Sequence, residues 1–143
     1  KPVFVEAESR KIGQLQVPGP LICAMRAGSC IDLEAPRAVR ASFLLRDYAY
    51  LLQDPTKLLE MLARLKERQG GETIAPWPAL VHQQRWPGLV HELLEKHCDP
   101  LYHQSQHLSF QGARSHAPLA VDDLSVSSME SLARRILQRS SPA

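Results

Sequence analysis

The chain has 143 residues, 44% of them apolar, with 17 basic and 15 acidic side chains and a net charge of +2. This is the length and composition of one ordinary globular domain. It excludes a strongly basic, autonomous nucleic-acid binder, though not a local basic face. Three cysteines (Cys23, Cys30 and Cys98) without a C-x-x-C pair exclude a disulfide framework and point to a reducing cytoplasm. No apolar run reaches membrane-spanning length, so no membrane contact is expected, and no signal peptide is visible. The chain opens at Lys1 rather than a methionine, as expected of a fragment or a processed chain.

The first element predicted is a strand over Val3–Val5, a short β-branched apolar run. It leads into Glu6, Glu8, Ser9 and Arg10, a charged turn ending at Gly13. Ligands of open α/β sheets sit beyond the carboxyl ends of strands, so this turn is a candidate ligand site. Glu6 and Glu8 are two residues apart and share a side in extended chain, where they could orient Mg²⁺. The alternative is a solvated loop. Residues 14–27 read as a loop with a short helix over Leu21–Met25, and Cys30–Glu34 as a second strand.

Pro36 then starts a helix over Arg37–Leu52, with Val39, Phe43, Leu44, Tyr48, Leu51 and Leu52 on its apolar face. Arg37 and Arg40 lie off that face. A strand, a proline and a helix carrying arginines resemble the lid of small P-loop kinases, where arginines clamp phosphoryl oxygens. Asp54 and Pro55 cap and open the next helix, which Gly70-Gly71 ends. Leu58, Leu62 and Leu65 are its core face.

Residues 72–88 carry three prolines with Trp77 and Trp86, and one short helix over Ala79–Gln84. The tryptophans either pack between helices or offer a stacking platform to bases. Pro87 opens a helix with Leu89, Val90, Leu93 and Leu94 inside, and Asp99-Pro100 is predicted to end it. His97, Cys98, His103 and His107 lack the closed four-ligand spacing of a zinc site. Leu108–Phe110 is a third candidate strand, and residues 112–118 a loop. Ser127 and Glu130 form a capping-box pattern before a last amphipathic helix. Arg134 and Arg135 on it are candidate contacts to nucleic-acid phosphates, or simply a solvated helix end. The tail from Arg139 is expected to fray.

Two separated strings carry a resemblance. Val5-Glu6-Ala7-Glu8-Ser9-Arg10-Lys11-Ile12-Gly13, followed by Pro18, and Leu93-Leu94-Glu95-Lys96-His97-Cys98-Asp99-Pro100-Leu101-Tyr102 together resemble bacterial tRNA 2-selenouridine synthases. The resemblance spans nearly the whole chain. It departs at Cys98, where that family has an aromatic residue.

The resemblance implies an α/β fold: the mostly helical C-terminal part of a P-loop NTPase-like domain, with two or three short strands. Its parts would be the first strand and charged loop (1–30), a lid-like strand and helix (31–71), a helical region (72–107), and a terminal strand and helix (108–143). No glycine segment here has the Walker A pattern. The Walker A loop and the cysteine of a rhodanese-like domain are expected before Lys1, so this chain contributes no catalytic residue.

The implied activity replaces sulfur by selenium in wobble 2-thiouridine of tRNA, with selenophosphate as donor, through a geranylated intermediate made from geranyl diphosphate. The resemblance assigns diphosphate handling to Glu6, Glu8, Ser9, Arg10 and Arg40. Gly13, Asp99, Pro100 and Tyr102 become pocket-wall or structural positions. The partners implied are tRNA and the missing N-terminal half. No cofactor is expected on this chain alone, beyond a possible Mg²⁺. Two rivals remain: a non-catalytic RNA-binding module, and half of another P-loop phosphotransferase.

Overall fold

The computed structural model describes residues 3–6, 10–109 and 118–139. The expected charged positions Glu8 and Ser9, and the loop at 112–117, lie outside them, as do Phe110 and the tail beyond Arg139. The chain is mostly helical with a few short strands, and it divides into two units. One comprises residues 1–35 and 102–143, the other residues 36–101.

In the first unit, β1 (Lys11–Ile12) and β2 (Leu15–Gln16) form an antiparallel hairpin with a two-residue loop. Gly13 takes φ +60° at the first loop position, as a type II′ turn requires and as a glycine adopts at least cost. Helix α1 follows over Gly19–Ala27, with Pro20 in its first turn. It is longer than the Leu21–Met25 segment expected, because Pro18-Gly19-Pro20 opens the helix instead of extending the loop. Strand β3 is only Leu33–Glu34, and it pairs in parallel with β4 (Leu119–Ala120). Helix α10 runs over Val126–Arg139. Its Leu132 packs with Leu119 and Val121, flanked by Ala35, Leu124, Met129 and Ile136.

Four expectations about this unit are corrected. Val3–Val5 is not a strand: the segment is exposed, with Val3 at 85%, and among the described residues no neighbouring strand supplies its hydrogen bonds. Leu108 and Ser109 are helical, so no strand starts there. Of the strand expected over Cys30–Glu34 only Leu33–Glu34 forms, and it pairs with Leu119–Ala120. The cap of α10 is Ser125, two residues before the expected Ser127. The Ser128 amide donates to Ser125 Oγ at 3.3 Å, and Asp123 holds Ser125 by accepting from its amide (2.8 Å) and its hydroxyl (2.6 Å). An Asx turn therefore sets the helix frame.

The second unit is all helical. It contains α2 (Arg37–Asp47), α3 (Ala49–Leu52), α4 (Pro55–Ala63), α5 (Lys66–Gln69) and α6 (Gly71–Ile74), then α7 (Trp77–His82) and α8 (Trp86–Leu93). The single helix expected over 37–52 bends at Tyr48. Asp54 caps α4 as its sequence predicts, accepting from the Lys57 amide at 3.0 Å. Gly70 ends α5 with φ +81° and ψ 154°, a backbone region essentially confined to glycine. Leu58, Leu62, Trp77, Val81 and Leu89 form the core, and α2 packs along α8. Trp77 is wholly buried, which removes it from any base-stacking platform.

Asp99-Pro100 does not end the helix. After α8 the chain widens into one π-helical turn, Leu94–Cys98, and continues as α9 over Asp99–Ser109. The Asp99 amide donates to Leu94 O, an i→i−5 bond. A proline inside a regular helix clashes with the carbonyl four residues back and leaves it unbonded. The wider turn relieves that crowding, so Pro100 is accommodated by a change of helix type.

Candidate cationic and carboxylate site on α2 and the π turn

The charged cluster of the second unit follows from two spacings. Arg37 and Arg40 are three residues apart on α2. Glu95 and Asp99 are four apart, across the π turn. Each pair lies along one side of its helix. Packing of α2 against α8 brings the two pairs face to face.

Arg40 and Asp99, 59 residues apart in sequence, form a two-pronged ion pair. Arg40 Nη1 donates to Asp99 Oδ1 at 2.6 Å and Nη2 to Oδ2 at 3.0 Å. Their side chains are 34% and 17% exposed. Arg40 Nε is buried and has no hydrogen-bond partner. Donating to the Asp99 carboxylate raises the Arg40 pKa further, with partial burial opposing it. Arg37 Nε approaches the same carboxylate at 3.6 Å. Its Nη1 donates to Glu95 Oε2 at 3.0 Å, and Lys96 Nζ donates to Glu95 Oε1 at 3.1 Å. Lys96, then Arg37, hold the Glu95 carboxyl below its ordinary range.

The neighbouring groups are less reactive than their residue types allow. Cys98 is exposed as a residue, but burial of its thiol, then Asp99, push its pKa up, with Arg40 opposing. A raised thiol pKa lowers the thiolate fraction at neutral pH, so Cys98 is poorly suited to act as a nucleophile. His97 Nδ1 lies 2.7 Å from Gln69 Nε2. Burial, then Arg68, lower its pKa, so the neutral ring accepts from the amide.

This gives a pH prediction with a definite sign. The unfolded chain binds the His97 proton more readily than the folded one, so stability is highest above the ordinary histidine pKa of about 6.5 and falls as pH drops through it. Melting curves compared with His97→Gln should show a smaller loss in the variant between about pH 8 and about pH 5.5. Equal losses would remove His97 from the account.

The other expected positions are scattered. Glu6 and Arg10 are exposed, Arg10 at the base of the hairpin, where its carbonyl accepts from the Val17 amide at 2.8 Å. Tyr102 is half exposed, its ring edge-on to His103 at 6.1 Å. Arg134 and Arg135 are exposed on α10. Arg135 lines an open hollow of about 310 Å³ with Asp122, Asp123, Ser127, Ser128 and Ser131. Its positive charge there is offset by two carboxylates. Among the described residues no group of three or more His, Cys, Asp or Glu side chains is placed to hold a metal. Nor is any helix among them long and apolar enough to cross a membrane.

The structure thus joins Arg40 to Asp99 and adds Arg37, Glu95 and Lys96, which the sequence reading did not single out together. The legible signal was the complementary charge at helical spacing, 37/40 against 95/99. Neither curated proteins nor solved structures gave a match. The sequence profile of the tRNA 2-selenouridine synthase AAA domain, however, matches residues 1–116. That span contains both resembling strings and the whole charged cluster, and on it the chain belongs to the tRNA 2-selenouridine synthase AAA-domain family.

Proposed function

We propose that this chain is the C-terminal part of the P-loop domain of a cytoplasmic enzyme that exchanges sulfur for selenium in wobble 2-thiouridine of tRNA. The observation that carries the reading is the family match over residues 1–116. The parallel pairing of β3 with β4 supports a place in a larger α/β sheet. Parallel sheets are normally covered on both faces, whereas Leu33 is 51% exposed here. In this reading selenophosphate is the donor and geranyl diphosphate supplies the intermediate. The chain contributes surface for diphosphate and tRNA, not the catalytic cysteine.

Residue roles follow from chemistry. Glu6, Glu8, Ser9 and Arg10 would handle diphosphate and Mg²⁺. Gly13 shapes the hairpin turn, and Arg40 adds positive charge from a position fixed by Asp99. Pro100 and Tyr102 continue the helix that carries Asp99. Arg134 and Arg135 would meet tRNA phosphates.

The test is nucleoside analysis of a 2-thiouridine-containing anticodon stem-loop RNA. It is incubated with the natural full-length protein, selenophosphate and geranyl diphosphate. Formation of 2-selenouridine is expected. Recovery of 2-thiouridine alone, by a protein that is folded and binds the RNA, would overturn the reading and leave an RNA-binding role.

A further inference from the structure

The charged cluster has two tiers that differ in what they can release. The inner tier is Arg40 with Asp99. Both terminal nitrogens of Arg40 are bonded to one carboxylate, and its Nε is buried. No edge of that guanidinium is left to present two donors to a ligand. The outer tier is Arg37, Glu95 and Lys96, with side chains 42%, 48% and 46% exposed. There the two oxygens of one carboxylate each take one cation, at 3.0 and 3.1 Å. Two adjacent oxygens bridging an arginine and a lysine is also the arrangement that a phosphate group needs. Exposed ion pairs of this kind are held weakly and exchange partners readily.

We infer that Arg37 and Lys96 form a phosphate-binding position in which Glu95 is the resident stand-in, while Arg40 is a positioning residue that Asp99 locks in place. Glu95 swings away when a phosphate arrives. Arg37 keeps its orientation because Asp99 lies at 3.6 Å from its Nε. This inference deepens the proposed function by assigning the phosphate contact on α2 to Arg37 instead of Arg40. The phosphate belongs either to a small diphosphate or to an RNA backbone.

The experiment measures both in the natural full-length protein. Inorganic pyrophosphate is titrated calorimetrically, and an anticodon stem-loop RNA is titrated over a range of salt. Arg37→Ala combined with Lys96→Ala should weaken one of the two ligands by about tenfold, the effect of losing charged hydrogen bonds. Glu95→Gln, which keeps the shape and removes the competing charge, should tighten the same ligand by about threefold. Loss confined to pyrophosphate identifies a small diphosphate. Loss confined to RNA, with the salt dependence reduced by about one to two contacts, identifies the backbone.

Unchanged affinity for both ligands in the double variant overturns the inference, and so does an absence of tightening in Glu95→Gln should the double variant not fold. A protein that binds as expected but makes no selenouridine would refute the enzyme reading alone.

Discussion

Trp77→Ala is expected to lower stability by about 3–5 kcal/mol, the cost of emptying a large aromatic site in a packed core. Trp77 is 0% exposed and sits among Leu58, Leu62, Val81 and Leu89. Those side chains come from three short helices, none long enough to be stable by itself in water. Few other contacts can take over if the ring is removed. Trp77→Phe should cost much less. It gives up part of the ring area, but it also deletes the indole N–H, which is buried without a hydrogen-bond partner. An orphaned donor costs about 1–3 kcal/mol, so the two changes largely offset each other. Urea titration of both variants checks this. A Phe variant as weak as the Ala variant would mean that the N–H is satisfied in solution, by a water for instance.

The second large effect is expected at Asp99. Asp99→Asn should cost about 2 kcal/mol, and Asp99→Ala somewhat more, because each leaves the Arg40 guanidinium without its counter-charge. The pair lies between the limits of exposed and buried ion pairs, with Asp99 17% and Arg40 34% exposed, so the full buried-pair penalty is not reached. A double-mutant cycle with Arg40→Ala separates the interaction from the side effects of each change, and a coupling of about 1–2 kcal/mol is expected. Coupling near zero would mean that the short Arg40–Asp99 contact is not populated in solution. Loss of Asp99 should also loosen Arg37, which shares that carboxylate at 3.6 Å.

The local signals in the sequence worked where one residue decides the backbone. Asp54 before Pro55 caps α4, Gly70 stops α5, and Pro87 lies in the first turn of α8. These are short-range steric and hydrogen-bond effects, and they need no knowledge of the rest of the chain. Expectations failed where a second partner decides. Val3–Val5 has strand composition, but composition cannot create the neighbouring strand. Ser127 and Glu130 have capping-box spacing, yet Asp123 secures Ser125 first and shifts the frame.

Gln84 shows a further limit. Its φ is +53°, and it ends α7 with the Arg85 amide donating to Leu80 O and its own amide to Val81 O. This is a Schellman ending, usually built on glycine. Without the glycine nothing in the sequence marks it. The candidate site was legible in its members, Arg40 and Asp99, and not in their pairing. Only the packing of α2 on α8 shows that one answers the other. Once paired, Arg40 looks less like a ligand clamp than its position after Pro36 implied.

The π turn at Leu94–Cys98 also fixes how this segment can change in length. Such a turn holds one residue more than the α-helical turn it replaces. Deleting any one of its five residues would allow a regular helix to form. It would hardly turn the chain beyond, because the residue removed is the surplus one and the flanking helices keep their phase around the axis. Asp99 would still face Arg40, but Pro100 would meet the carbonyl it now avoids. The surplus residue therefore lets this helix carry a proline without turning the ion pair away. The proline and the π turn are a matched pair, and neither can change alone without disturbing the helix that holds Asp99.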